Sequence, residues 1–104
     1  KKYIEKHYKE ELGIQDVAEL FNYSEAYFCK IFRQCFDKSF TTYLMEFRIE
    51  KAKELMMDLR YNIKDIGTEV GYRDSNYFSK IFKKAEGMTP TEFRQRVLAQ
   101  KINQ

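Results

Sequence analysis

Two stretches of this sequence carry side chains suited to gripping an anionic partner that also offers hydrogen bonds. Residues 73–84 read RDSNYFSKIFKK and set Arg73, Lys80, Lys83 and Lys84 against a single acid, Asp74, for a local net charge of +3. Residues 25–35 read EAYFCKIFRQC and set Lys30 and Arg33 against Glu25, for a net +1. The formal net charge of the whole chain is +3, so the first stretch alone matches the entire excess. Small and amide side chains come before the basic ones, with Ser75, Asn76 and Ser79 in one stretch and Ala26 and Cys29 in the other. A helix of this kind suits the DNA major groove, which admits one α-helix. Small residues permit close approach, Asn pairs with adenine and Lys with guanine. Flanking Lys and Arg neutralise phosphates. A basic helix face is more often simply solvated, so charge alone does not decide the matter.

Other chemistries find little support. The chain has no Ser/His/Asp set, no Gly-rich phosphate loop and no metal cluster, so an enzyme is not expected. Cys29 and Cys35 would lie about 9 Å apart along one helix, beyond disulfide reach. With the lone His7 they cannot complete a four-ligand zinc site. Neither metal nor cofactor is expected, and two free thiols point to the reducing cytoplasm. Cys29 beside Lys30 is a conceivable nucleophile, but a thiol on a binding face is the plainer reading. The acidic pair at positions 10 and 11 reads as helix surface. The length of 104 residues suits one domain or two very small ones. No apolar run approaches the ~20 residues that cross a bilayer, so no membrane association is expected. The sequence starts at Lys1 with no Met and no signal-peptide pattern, and reads as a fragment of a longer polypeptide.

The two basic stretches belong to an internal repeat. Residues 14–23 (IQDVAELFNY) align with 63–72 (IKDIGTEVGY) at an offset of 49. One inserted residue raises the offset to 50, where YFCKIFRQ (27–34) meets YFSKIFKK (77–84) and SFTTY (39–43) meets TPTEF (89–93). Each copy reads as helix, tight turn, helix. In the second copy Asn62 is an N-cap with Asp65 three residues on. Gly71 and its counterpart Asn22 suit a left-handed turn position. Gly67 and Ala18 are small where a second helix must approach. Phe28, Ile31, Phe32 and Cys35 form an i, i+3, i+4, i+7 stripe, as do Phe78, Ile81, Phe82 and Ala85, and both are expected in the core. Tyr27 and Tyr77 lie at the edge of the stripe and can face either way.

These motifs must be positioned by further helices. An N-terminal helix is expected at about 3–11. A linking helix is expected over 39–59, carrying Phe40, Tyr43, Leu44, Phe47, Ala52, Leu55, Met56 and Leu59 at helical spacing. Its interleaved charges predict a solvated face with i,i+4 pairs. Thr89, Pro90 and Glu92 are the N-cap, N1 and N3 residues of a last helix. The expected fold is all-α with about seven helices, in two helix-turn-helix subdomains (1–38 and 60–104) joined by the linker. About 20 helical residues span about 30 Å, close to the ~34 Å between successive major grooves.

The paired units, above all GYRDSNYFSKIFKKAEGMTPTEFR at 71–94, resemble the DNA-binding region of the AraC/XylS family of bacterial transcription regulators. RIEKAKELM at 48–56 resembles that family's linker-helix pattern, and the overall flavour is nearest the effector end of YesN-type response regulators. The resemblance covers about residues 3–97. It implies a monomer that reads two adjacent major-groove segments of double-stranded DNA. Carried over residue by residue, it implies base readers Ala26, Tyr27, Cys29 and Lys30 in the first motif and Ser75, Asn76, Tyr77 and Lys80 in the second. Arg33, Arg73, Lys83 and Lys84 would be phosphate contacts. The family usually adds a sensor or receiver domain, absent here, and RNA polymerase is an expected protein partner. Three departures stand out. Ala26 and Cys29 give the first motif few hydrogen-bonding groups. Arg73 stands where a capping Ser is common, so Asp74 is expected to cap. Asp37 stands where the second copy has Gly87. The competing class is a helical protein-interaction module, such as one contacting the transcription machinery.

Overall fold

The computed structural model describes residues 2–10 and 13–102, and the regular structure within them is helical throughout. Seven helices follow in order: α1 Lys2–His7, α2 Ile14–Leu20, α3 Glu25–Phe36, α4 Phe40–Leu55, α5 Ile63–Glu69, α6 Ser75–Glu86 and α7 Pro90–Ile102. The all-α expectation holds. The chain divides into two compact units, residues 1–47 and 48–104, and α4 contributes its first half to one and its second half to the other.

In the first unit, α2 packs on α3. The turn between them closes where Asn22 adopts φ 60° and the Tyr23 N–H donates to Ala18 O at 2.9 Å. That left-handed residue satisfies carbonyls the helix would otherwise leave unpaired. Ser24 then caps α3, its hydroxyl oxygen accepting from the Tyr27 N–H at 3.2 Å. The core gathers Ile4, Val17, Ala18, Phe28, Phe32, Phe40 and Leu44. Phe32 lies at its centre, with ring centroids of Phe36, Tyr43, Phe40 and Phe28 at 4.5, 5.4, 5.5 and 5.8 Å.

The expected stripe needs correction at its far end. Cys35 is exposed and Ile31 only half-buried, while Phe36 packs against the core instead. Phe36 continues the four-apart row of Phe28 and Phe32, its ring 4.5 Å from that of Phe32. Ala85, the counterpart of Cys35, is exposed as well. The N-terminal helix also differs, ending at His7 rather than near residue 11. A turn follows, in which the Glu10 N–H donates to His7 O at 3.0 Å and the two side chains meet at 2.6 Å. Glu11 lies outside the described residues.

The second unit repeats the pattern with tighter packing. Asn62 Oδ1 accepts from the Asp65 N–H at 2.8 Å and starts α5. Gly67 is fully buried against α6, and a Cβ placed there would lie 3.0 Å from the Phe78 ring. The small residue expected at this position is therefore required by contact. Phe78 and Phe82 are wholly buried, each contributing about 2–3 kcal/mol. Ile49, Ala52, Met56, Ile66, Val70 and Pro90 of the same unit are buried as well. Thr89 and Glu92 form the expected reciprocal cap. The Glu92 N–H donates to Thr89 Oγ1 at 3.2 Å, and the Thr89 N–H to Glu92 Oε1 at 3.0 Å.

The linking helix covers 40–55, not 39–59. It unwinds after Leu55, where the carbonyls that follow the helix find partners on α7. Arg94 on α7 donates through Nε to Met56 O at 3.1 Å and through Nη2 to Asp58 O at 3.2 Å. Leu59, expected on the apolar face, is therefore outside the helix and 72% exposed. The charges of α4 pair three apart rather than four, Lys53 with Glu50 at 3.0 Å and Lys51 with Glu54 at 3.3 Å. Arg48 departs furthest from expectation, being buried rather than solvated.

Candidate nucleic-acid interface

The reading-helix candidates α3 and α6 are both 12 residues long, and each turns its Phe-bearing side inward. What remains outward in α3 is Ala26, Tyr27, Lys30, Arg33 and Gln34, all exposed, with Cys29 half-buried. In α6 it is Asn76, Tyr77, Lys80, Lys83 and Lys84, all exposed, with Ser75 and Ser79 half-buried. Arg73 is exposed just before α6. Positions 26, 30 and 33 fall on one helical face, as do 76, 80 and 83, because residues four and seven apart stack above one another. Every proposed base or phosphate contact thus has surface to offer, Cys29 and Ser75 the least.

The tyrosines left undecided by sequence face outward. Tyr27 is 49% exposed and Tyr77 is 54% exposed. Each leans on the tyrosine of the preceding turn, Tyr27 on Tyr23 at 5.0 Å and Tyr77 on Tyr72 at 5.9 Å. The supports differ. Tyr23 is itself exposed, whereas Tyr72 is buried.

The starts of the two helices are fixed by different caps. Asp74 caps α6, its Oδ1 accepting from the Asn76 N–H at 2.9 Å and the Tyr77 N–H at 3.4 Å. The inserted Arg73 therefore stands outside the helix as an extra surface cation. At the far ends both helices close on a left-handed residue, Gly87 with φ 81° and Asp37 with φ 60°. Asp37 does take the conformation in which Asp is less comfortable than Gly.

The electrostatics around α6 are uneven. Glu92 is held below the usual carboxylate range by the Thr89 N–H and hydroxyl, and also feels the charges of Lys83 and Arg96. Lys83 therefore shares its field with a carboxylate. Behind the interface, burial works against the charge on Lys53, but hydrogen bonds to Glu50 and Glu86 outweigh it and its pKa rises. The Lys53–Glu86 contact of 3.2 Å ties α4 to the end of α6.

Two residues near the interface escape a reading by sequence alone. Arg48, on α4, lies with its guanidinium 5.1 Å from the Tyr72 ring centre, and its charge acts on the Tyr72 hydroxyl. Burial raises the Tyr72 pKa, and the nearby guanidinium offsets only part of that rise. The signal available in sequence was the tyrosine shared by the two copies at 23 and 72, together with the arginine opening RIEKAKELM. Arg94, the last residue of the 71–94 match, binds the Met56 and Asp58 carbonyls just beyond α4. The first unit carries a distinct surface, an apolar patch formed by Leu20, Phe21, Tyr23 and Tyr27. Beside it a groove of about 190 Å³ runs between Phe21, Tyr23, Ile31 and Cys35.

Two helix-turn-helix motifs with inward aromatic rows and outward basic faces define a class of DNA-binding protein. Comparison with known proteins specifies it. A family model described as a helix-turn-helix domain matches residues 17–96. The chain is 34% identical over 97 residues to the Msm operon regulatory protein of Streptococcus mutans, spanning 93% of this chain and 35% of that protein. Among solved structures it is similar to the C-terminal domain of AraT, a response regulator from Geobacillus stearothermophilus. The identity is 38% and the TM-score 0.88, covering 91% of this chain and 79% of that one. It is also similar to the C-terminal domain of the two-component response regulator yesN from Fusobacterium nucleatum, with 32% identity and a TM-score of 0.86, over 89% and 91% of the two chains. The chain belongs to the AraC-type helix-turn-helix family of DNA-binding transcription regulators. It spans about a third of the length of the Streptococcus regulator it matches.

Proposed function

We propose that the chain is the DNA-binding output part of a longer bacterial regulator and that it reads duplex DNA with α3 and α6. Asn76 and Lys80 supply most of the hydrogen bonding to base edges, with Ser75 and Tyr77 beside them. In the first motif Ala26, Tyr27 and Cys29 approach bases mainly through apolar contact, for which thymine methyl groups are suitable partners, and Lys30 is the donor available to guanine. Arg33, Arg73, Lys83 and Lys84 bind phosphates. The observation that carries this reading is the exposed face of α6, where Lys80, Lys83 and Lys84 follow a capped first turn bearing Asn76. The partition into two reading subdomains, 1–38 and 60–104, with 39–59 as linker belongs to the same proposal. A sensor or receiver domain controls the chain, and the whole works in the cytoplasm. Consistent with that, among the described residues no helix is long and apolar enough to cross a membrane.

The test is salt dependence on a duplex selected from a random pool. With about five to eight phosphates contacted, log K should fall against log salt with a slope of roughly −4 to −8. Flat binding, or no binding to any duplex, would favour the second reading, a module that docks on protein. The exposed apolar side chains Leu20, Phe21 and Tyr23 favour an added protein contact, and RNA polymerase is the partner proposed for them.

A further inference from the structure

Arg48 is the one charged side chain buried among the described residues, at 8% exposure. Burying a guanidinium is costly unless its donors are satisfied, and hydrophobic replacements of similar volume are often neutral or stabilising. Fold stability alone therefore does not explain an arginine here. Its guanidinium lies 5.1 Å from the centre of the Tyr72 ring, and its charge acts on the Tyr72 hydroxyl. Tyr72 in turn packs on Phe78 at 5.7 Å and on Tyr77 at 5.9 Å. It also sits two residues before Asp74, which caps α6. The chain of contacts runs from α4 through a fixed ring to the first turn of α6, where Asn76 and Tyr77 stand on the outward face. In the first unit the corresponding Tyr23 is 42% exposed and Tyr72 only 9%, so the ring in that position is left open to solvent there.

We infer that Arg48 is a positioning residue for DNA reading: through Tyr72 it fixes the rotation and register of the first turn of α6, and with it Asn76 and Tyr77. The inference rests on the proposed base-reading role of α6. Arg48 touches no DNA in this scheme and acts through the tyrosine it covers.

The experiment compares wild type, Arg48→Met, Arg48→Lys, Tyr72→Phe and Tyr77→Ala on two duplexes, one selected from a random pool by the wild-type chain and one scrambled from it. Amide hydrogen exchange of each free protein is followed in parallel. Arg48→Met should lower the ratio of selected to scrambled affinity about tenfold, with affinity for the scrambled duplex unchanged. Exchange should quicken at the amides of residues 76–78 while the amides of α5 and α7 keep their protection. Tyr72→Phe should shift both readouts the same way by less, and Arg48→Lys, which keeps a cation over the ring, should restore part of the ratio. A purely structural arginine would instead lower thermal stability and quicken exchange throughout the second unit. That result overturns the inference, as does Arg48→Met with an unchanged ratio. If Arg48→Met does not fold, Tyr72→Phe decides by the same criteria. If Tyr77→Ala lowers the ratio and the Arg48 and Tyr72 variants do not, the inference falls and base reading by α6 stands. If no variant moves the ratio, both fall.

Discussion

Single side chains on α6 divide the labour of binding, and the division can be measured. Asn76 carries the amide that distinguishes one base pair, so Asn76→Ala should relax preference at one position by roughly 1–3 kcal/mol. Lys83 carries only charge, so Lys83→Ala should weaken all duplexes about equally and reduce the salt slope by about one. Base-preference profiles of the two variants separate the roles, and a Lys83→Ala profile altered at one position would reverse the assignment. A third residue governs response to acid. The Arg60 guanidinium lies 2.7 Å from Asp58 and, with the Arg60 N–H, holds that carboxyl at about 2, below its ordinary value of 3.8. A depressed carboxyl stabilises the fold above its unfolded pKa, and the contribution disappears as pH falls through the folded one. The melting temperature should therefore fall between pH 4 and pH 2, and Asp58→Asn should flatten part of that fall. A variant with the same pH profile as wild type would remove Asp58 from the account. At this scale the caps were legible beforehand. Asn62, Asp74, Thr89 and Glu92 act within four residues of themselves, so sequence spacing suffices to place them. The burial of Arg48 was not legible, because it depends on a ring 24 positions away. Which exposed side chains meet bases was not legible either, since the answer lies partly in the DNA.

The helices were legible where their ends are chemical and obscure where their ends are tertiary. The left-handed turns at Asn22, Gly71 and Gly87 announce themselves by residue type, and α7 by its Thr-Pro start. The end of α4 at Leu55 does not, because Arg94 draws the next carbonyls away from helical geometry. The stripe in α3 was read one row off, since Cys35 is apolar enough to look like core while Phe36 was the residue packed. Two substitutions test the packing account. Gly67→Val would force a branched side chain into the 3.0 Å space before Phe78, which has nowhere to move, and should cost about 2–3 kcal/mol by denaturant titration. Asp37→Gly relieves a left-handed Asp at φ 60° and should stabilise by about 0.5–1 kcal/mol. A neutral Gly67→Val would mean that α5 and α6 are not in close contact in solution.

Across the whole molecule, duplication has not made the two units equal. Positions 70 and 72 are sealed, while their counterparts Phe21 and Tyr23 are 50% and 42% exposed. Tyr43 packs on Phe32 as its counterpart Phe93 packs on Phe82, but only the second unit gains the hydrogen bonds of Arg94, whose counterpart is Leu44. Local opening follows packing density. Native-state hydrogen exchange should therefore show the slowest amides of α6 outlasting those of α3, and equal protection of the two would contradict the difference in burial. The sequence repeat made the two-unit plan visible, but the asymmetry depends on how each copy is covered, which the alignment of copies does not contain. Both sulfhydryls of the chain lie in α3, with Cys35 exposed and Cys29 half-covered on the outward face. A maleimide fluorophore added to the unaltered protein would therefore attach first to the back of one reading helix. Its emission would follow that half of the molecule alone, leaving the other half unlabelled as a built-in reference.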